Sequence, residues 1–369
     1  MMTKPILFVI NSLRLGGAEK ICVELANAFV EQGIPVDLAV LELREAVLQE
    51  KLNPKVKLIN LEIGHARQSF FSLKKLIQAG GYTQTLVFTF QLSVVLVLIR
   101  KLSGFRFRII ARSINNLTEK FRRETSLWHK YIGQFLIRRF YFDADTIIAQ
   151  SSGMQKELEE LRGTSQTKIT TIFNFHQLRP LNELLVQGEG VWPDNQFNLL
   201  FVGKLKPQKN VGFLLEVAHE LKKAGQYFHF TIVGDGTEMK PLLELRGKYG
   251  LEKEVTFAGI QKNVSQFYTK ASVMLLGSWY EGFPNVILEA MEYGIPAVCV
   301  NCPSGPEDII INGENGKLVE GHHVRAFSEE VIHVLRTKWD REAIRNSLKK
   351  FSKEAAIQKY IDLLVKSDC

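Results

Sequence analysis

Cysteine is scarce in this sequence, four among 369 residues, and that scarcity excludes a disulfide-stapled scaffold. Cys22 and Cys369 stand apart, while Cys299-Val-Asn-Cys302 follows the strand-like "IPAVCV" and has no second close pair to complete a zinc site. Buried or incidental thiols in a reducing, cytoplasmic compartment are the expectation. Long apolar runs are missing too: the longest, "LVFTFQLSVVLVLI", is broken by Thr89, Gln91 and Ser93 and falls short of the ~20 residues a membrane span needs. It reads as a strand followed by a core helix. The first residues, "MMTKPILFVINSL", lack a small-residue cleavage pattern and read as a buried strand instead of an export signal. Proline (11) and glycine (27) are at ordinary levels, so collagen-like and broadly disordered classes are excluded.

What is present is a chain long enough, at 46% hydrophobic residues, for about two domains of roughly 100–200 residues. Short β-branched apolar runs alternate with amphipathic stretches: "ILFVI", "VDLAVL", "VKLINL", "TLVF", "RIIA", "TIIA" and "ITTIF" form a first series. A polar, irregular stretch interrupts it, and "NLLFV", "HFTIV", "VTF", "VMLL" and "PAVCV" form a second. This alternation is the mark of parallel sheets with crossover helices. The expected organisation is a domain over 1–177, a linker over 178–196 and a second domain over 197–350. A last helix over 352–366, with Ile357, Tyr360, Ile361 and Leu364 at helical spacing, closes the chain.

The formal net charge of +8 is concentrated. Residues 100–139 hold eleven Lys and Arg against Glu119 and Glu124, a local +9, interleaved with Phe105, Phe107, Phe121, Trp128, Tyr131, Phe135 and Phe140. Such a segment suits a peripheral membrane surface of anionic head groups; a solvated face over an aromatic core fits equally. Nucleic acid is not expected, since no recognition motif accompanies the charge.

In open parallel sheets, ligands bind at the carboxyl ends of strands, where glycine turns feed helix N-termini. After the first strand comes "NSLRLGGAEK", in which Gly16-Gly17 permits close backbone approach; it is not G-x-G-x-x-G, and no dinucleotide fingerprint is completed. The second series opens with "LLFVGKLKPQKN", where Gly203, Lys204 and Lys209 occupy a strand-to-helix loop and two cations suit a diphosphate. "VGDGTEMKPL" repeats the glycine turn at Gly234. In "YEGFPNVILEAMEYG", Pro284 suits a first helical position, Gly294 the position past the end, and Val286, Ile287, Ala290 and Met291 an apolar face. Helix physics leaves Glu281 and Glu289 unexplained.

With "GGAE", "VGKLKPQKN", "VGDG" and the E-x-x-x-x-x-x-x-E element from Glu281 to Glu289, the chain resembles the family-four retaining glycosyltransferases over nearly its whole length. The resemblance implies an α/β, GT-B fold: two facing Rossmann-like, doubly wound domains with the donor cleft between them, the final helix crossing back onto the first. It implies transfer of a hexose or N-acetylhexosamine from a nucleotide diphosphate sugar, UDP the expected nucleotide, with retention. Glu281, Lys204 and Lys209 would be catalytic, Glu281 reaching hydroxyls of the donor sugar and the lysines stabilising the leaving diphosphate. Gly16, Gly17, Gly203, Gly234, Gly282, Phe283, Pro284, Asn285, Val286 and Glu289 would bind the donor. Glu289 would accept both ribose hydroxyls, and backbone N–H groups at Pro284 to Val286 would face phosphate.

No cofactor or metal is expected for this scheme, and the D-x-D match, Asp143-Ala-Asp145, merely precedes a strand. Many relatives carry a histidine where this chain reads "IIARSINNLTEKF", with Arg112, Ser113, Asn115 and Asn116 instead; Asn115 or Asn116 offers a neutral hydrogen bond in its place, and a plain loop fits as well. "VNCPSGPEDIIINGENGKLV" is similar to relatives that extend lipid-linked saccharides of bacterial surface polymers, with Ser304 to Glu307 bordering the donor pocket or forming a turn before a strand-like "DIIIN". The implied partners are the nucleotide sugar, a lipid-linked or saccharide acceptor and the inner face of the cell membrane. A nucleotide-sugar epimerase or binding protein of similar build is the alternative from another class.

Overall fold

The computed structural model describes residues 4–123, 127–185 and 196–365. Glu124, residues 186–195 of the expected linker, Lys366 and Cys369 lie outside them, as do the side chains of Trp128 and Lys130. The chain forms two compact units: the first runs to Asn174 and takes in the C-terminal segment from Lys353, and the second runs from Phe175 to Ser352.

The first unit is built on β1 (Ile6–Ile10), β2 (Val36–Val40), β3 (Lys57–Asn60), β4 (Gln84–Val87), β5 (Arg108–Arg112), β6 (Thr146–Ala149) and β7 (Lys168–Thr171). They pair in parallel in the order β3-β2-β1-β4-β5-β6-β7. Every residue of β1, β2, β4 and β6 is buried, because helices cover both faces of a parallel sheet; β1 accordingly reads as an unbroken apolar run, and the others are apolar apart from Asp37, Gln84, Thr85 and Thr146. The polar residues that interrupt the longest run have local work. Thr89 caps the Phe90–Ser103 helix by accepting from Leu92 N–H, and Ser93 Oγ donates back to Thr89 O at 3.0 Å. Among the described residues no helix is long and apolar enough to cross a membrane.

In the second unit β8 (Phe197–Val202), β9 (Phe228–Val233), β10 (Val255–Gly259), β11 (Val273–Leu276), β12 (Ala297–Val300) and β13 (Gly316–Val319) pair in parallel in the order β10-β9-β8-β11-β12-β13. Both sheets are doubly wound, and in each the strand order reverses beside its first strand, at β1/β4 and β8/β11. Such a reversal opens a crevice at the carboxyl ends of the two strands.

Two local expectations are corrected. The "DIIIN" run is not a strand: Pro306, its φ preset for a helix start, opens the single turn Pro306–Ile309. The Asn315 side chain then serves the backbone a strand neighbour would have served, donating to Ile309 O at 3.0 Å and accepting from Ile311 N–H at 2.7 Å. The strand here is β13, which the sequence pattern misses; a Cβ on its Gly316 would lie 2.2 Å from Ala297 O. The helix in "YEGFPNVILEAMEYG" spans Asn285–Glu292, with Pro284 as its N-cap and not its first residue. Its buried face is Ile287, Leu288, Ala290, Met291 and Glu292, while Val286 is only half-buried. Gly294 does sit past its end, at φ +71°.

The final helix, Lys353–Leu364, buries Ala356, Ile357, Tyr360, Ile361 and Leu364 in the first unit. There Arg112, 1% exposed, donates through Nε to Tyr360 Oη at 3.0 Å and through Nη2 to Asn174 Oδ1.

Candidate active site

The β8/β11 reversal explains how residues 72 positions apart meet. The chain leaving β8 makes a loop and a short 3-10 turn, Pro207–Lys209, then enters the Val211–Lys223 helix through Asn210 at φ +48°, a left-handed conformation that asparagine tolerates. The chain leaving β11 makes the turn Gly277 to Glu281. Lys209 Nζ lies 2.7 Å from Glu281 Oε1. Glu281 is only 4% exposed, and a carboxylate so far out of water needs compensating partners. Besides Lys209 it accepts from Ser278 Oγ at 2.5 Å.

The turn itself is held from three sides. Trp279 N–H donates to Gln208 O at 2.9 Å, and Gln208 Nε2 donates to Tyr280 O at 2.9 Å, so the Lys209 loop and the Glu281 turn are tied by backbone as well as by charge. Glu281 N–H donates to Pro303 O at 3.2 Å. His322 Nε2 is 3.0 Å from Gly277 O, its ring 3.9 Å from that of Trp279 and 5.2 Å from that of Phe213.

The glycines have steric reasons. A Cβ on Gly234, at φ +136°, would lie 1.9 Å from Gly203 O, and one on Gly236 would lie 2.2 Å from Leu205 O. The loops after β8 and β9 therefore pack backbone to backbone, joined by Gly203 N–H to Val233 O at 3.0 Å and Leu205 N–H to Asp235 O at 2.9 Å. Lys204 stands exposed on the first of them. The Ser304-Gly305 turn, left-handed at both residues (φ +70° and +101°), packs on the buried Gly282, Phe283 and Pro284: a Cβ on Gly305 would lie 2.7 Å from Pro284 Cδ.

Phe283 turns its ring into the core, edge-on to Phe351 at 5.4 Å. Of the backbone donors expected around Pro284 to Val286, proline has none and Asn285 N–H is taken by Phe283 O at 3.0 Å. Val286, second in its helix, has no intrahelical acceptor to bond.

Glu289 is half-buried on the Asn285–Glu292 helix and accepts from Tyr268 Oη at 3.1 Å. One turn on, Glu292 is buried and was invisible to sequence reasoning. It accepts from Arg179 Nε at 3.0 Å and Nη2 at 2.9 Å, and His176 Nε2 lies 3.0 Å away. Burial raises its carboxyl, but the His176 and Arg179 hydrogen bonds outweigh that and hold it at about 2. Ser278, Gln208, Tyr268 and His322 also escape the sequence reading; the adjacency of Gln208 to Lys209 is the one available hint. Cys299 and Cys302 are buried free thiols; burial, then the neighbouring Glu281 charge, pushes Cys302 up.

Gly16 and Gly17 belong to the first unit, at the start of the Gly17–Glu31 helix. Here too the glycine has an internal reason: the Glu19 carboxylate folds back so that a Cβ on Gly16 would meet its Oε2 at 2.2 Å. Asn116 caps the Leu117–Arg122 helix by accepting from Glu119 N–H at 2.9 Å. The D-x-D carboxylates are internal ion-pair partners, Asp143 of Lys101 at 2.7 Å and Asp145 of Arg100.

The basic aromatic segment is narrower than its composition. Phe107 and Phe121 lie in the core, and Phe105 and Phe140 pack against it. Arg122 and Arg123 pair with Glu119 at 3.3 and 3.5 Å. What stands out from the Leu127–Phe140 helix is Tyr131, 65% exposed, and Phe135, 62% exposed, with Arg138 on the same face by i, i+4, i+7 spacing.

Two family models match the chain: "Glycosyltransferase Family 4" over residues 15–178 and "Glycosyl transferases group 1" over residues 186–355. The amylovoran biosynthesis glycosyltransferase AmsD of Erwinia amylovora is 32% identical over 201 residues, 53% of this chain and 55% of that protein, so the match spans about half of each. The Campylobacter jejuni GalNAc-alpha-(1->4)-GalNAc-alpha-(1->3)-diNAcBac-PP-undecaprenol alpha-1,4-N-acetyl-D-galactosaminyltransferase is 26% identical over 367 residues, 95% of this chain and 94% of that one. A crystal structure of Anabaena HepE in complex with UDP superposes with a TM-score of 0.77 at 19% identity, covering 98% of this chain and 100% of that chain. The fold, the two matched models and the paired glutamates agree, and the chain belongs to the GT-B glycosyltransferases of the family-four type.

Proposed function

We propose that the protein transfers a hexose or N-acetylhexosamine, with retention at the anomeric carbon, from a UDP-linked donor to a lipid-linked saccharide during assembly of a bacterial surface glycan. The observation that carries this reading is the buried Glu281, held by Ser278 and Lys209 at the crevice between β8 and β11 and eight residues before Glu289. UDP is supported by the UDP-bound neighbour, and the lipid-linked acceptor by the name of the Campylobacter relative.

In this scheme Glu281 accepts hydrogen bonds from donor-sugar hydroxyls, and Glu289 accepts from the two ribose hydroxyls. Val286 N–H faces a phosphate oxygen at the positive end of its helix. The bond from anomeric carbon to phosphate oxygen breaks as the acceptor hydroxyl oxygen bonds to that carbon on the same face, and the hydroxyl proton leaves with the phosphate. Lys204 and Lys209 stabilise the charge that develops on the departing diphosphate, with no metal ion required. Tyr131, Phe135 and Arg138 place the protein peripherally on the inner, anionic face of the cell membrane.

Thermal unfolding with UDP, GDP, ADP and NAD in turn tests the donor assignment, because a ligand at a hundred times its dissociation constant adds ~2.7 kcal/mol. The expected result is a shift with UDP that Glu289→Ala removes, and turnover of the UDP-sugar that Glu281→Gln abolishes. A shift with NAD alone, or full turnover by Glu281→Gln, sinks the proposal.

A further inference from the structure

Tyr268 closes the short helix Ser265–Tyr268 and is 3% exposed. Its ring stacks on that of Tyr293 at 5.3 Å and 23°, and its hydroxyl meets Glu289 Oε2 at 3.1 Å. An ionised carboxylate only accepts, so the phenol must donate. Burial, then the Glu289 charge, pushes the Tyr268 phenol well above its ordinary value, which keeps the donor protonated at any working pH. A glutamate on a helix has three rotatable bonds, and this hydrogen bond from a ring locked by stacking fixes where its two oxygens point.

We infer that Tyr268 is a positioning residue that orients the Glu289 carboxylate toward a vicinal diol, and so sets selectivity for ribonucleotides over 2′-deoxyribonucleotides. The inference rests on the proposed role of Glu289 as the ribose acceptor. A carboxylate engages both hydroxyls of a ribose only if both oxygens are aimed at once. Left to rotate, it still meets one hydroxyl, and a ligand with a single hydroxyl then suffers less by comparison. Loss of the Tyr268 hydroxyl therefore harms ribonucleotide binding more than deoxyribonucleotide binding, whereas a general loosening of the fold lowers both alike.

The test uses whichever of UDP, GDP and ADP stabilises the full-length protein most, together with its 2′-deoxy form, and measures both dissociation constants by calorimetry. Tyr268→Phe keeps the stacked ring and removes the hydroxyl. Tyr293→Phe alters the same stack while leaving the hydroxyl that donates to Glu289. Glu289→Gln removes the charge. The expected result is a ribose-to-deoxyribose preference reduced about tenfold in Tyr268→Phe, as for loss of one hydrogen bond to a charged group. The preference should be unchanged in Tyr293→Phe and nearly gone in Glu289→Gln. An unchanged preference in Tyr268→Phe beside a lowered one in Glu289→Gln overturns this inference alone. An unchanged preference in Glu289→Gln overturns the ribose assignment and this inference with it.

Discussion

His322 Nε2 lies 3.0 Å from the carbonyl oxygen of Gly277. A carbonyl can only accept, so Nε2 carries the hydrogen, and the ring anchors the residue from which the Glu281 turn departs. His322→Phe keeps an aromatic ring against Trp279 and loses the donor. We expect kcat to fall about tenfold, as for a misplaced catalytic group, with the donor KM within about threefold. Steady-state kinetics on the two variants His322→Phe and His322→Ala decide it; wild-type kcat in both removes His322 from any positioning role.

The side chains of Lys209 and Glu281 are 19% and 6% exposed. Removing one member of such a pair leaves a charge without its partner away from water, typically a loss of ~3 kcal/mol. Lys209→Ala should therefore lower stability by about that amount, and Glu281→Gln in the same chain should restore most of it. Denaturant unfolding of the single and double variants gives the coupling; additive losses show that the pair does not support the folded state.

Gly234 separates two backbones that touch. Gly234→Ala places a Cβ 1.9 Å from Gly203 O, and neither backbone can move without breaking the Gly203 N–H bond to Val233 O. A loss of more than ~3 kcal/mol, or failure of the second unit to fold, is expected. Gly64→Ala, with nothing within 4 Å of the added atom, should change stability by less than ~0.5 kcal/mol. Equal melting temperatures for the two variants contradict the packing argument.

Glu292 gives the protein an acid limit. Its carboxyl is held at about 2, below the ordinary 4.5, by His176 and Arg179. A group depressed on folding contributes stability that is complete above its ordinary value and is lost as the pH falls toward the folded one. Between about pH 4.5 and pH 2 the wild type should lose stability more steeply than Glu292→Gln. Parallel slopes for the two proteins across that window dismiss Glu292 as the cause.

Tyr131 and Phe135 leave apolar area in water that a bilayer interface would take up at about 25 cal/mol per Å². Replacing both with serine should cut flotation with phosphatidylglycerol-containing liposomes severalfold while leaving UDP-induced stabilisation intact. Raising salt should weaken wild-type flotation as well, because Arg138 contributes through charge. Undiminished flotation of the double variant refutes the contact.

The fold was legible in sequence because a parallel strand buried on both faces becomes a short, mostly apolar run, unbroken in β1 and interrupted by one or two polar residues in β2, β4 and β6. The same logic misled at "DIIIN", where an apolar run is served by the Asn315 side chain instead of a neighbouring strand. It also missed β13, whose pairing rests on a glycine against Ala297 O. Glu281, Glu289 and the lysines were visible as a motif. Their supports were not, because Tyr268 is 21 positions from Glu289 and His322 is 45 from Gly277, and no local period links such residues. Composition overstated the basic segment, since it counts Phe107, Phe121 and the Glu119-paired arginines as though all met solvent.

Arg112 and Tyr360 are 248 positions apart in one unit, and this sets an order of events at the ribosome. At about 5–20 residues per second, the β5 arginine waits roughly 12–50 s for the phenol that receives it. Meanwhile the whole second unit is synthesised, and that unit can fold without waiting. The first sheet therefore passes through a half-minute adolescence, its guanidinium wet and the seat of the last helix open to solvent. Of the two units, the one begun first is therefore the one completed last.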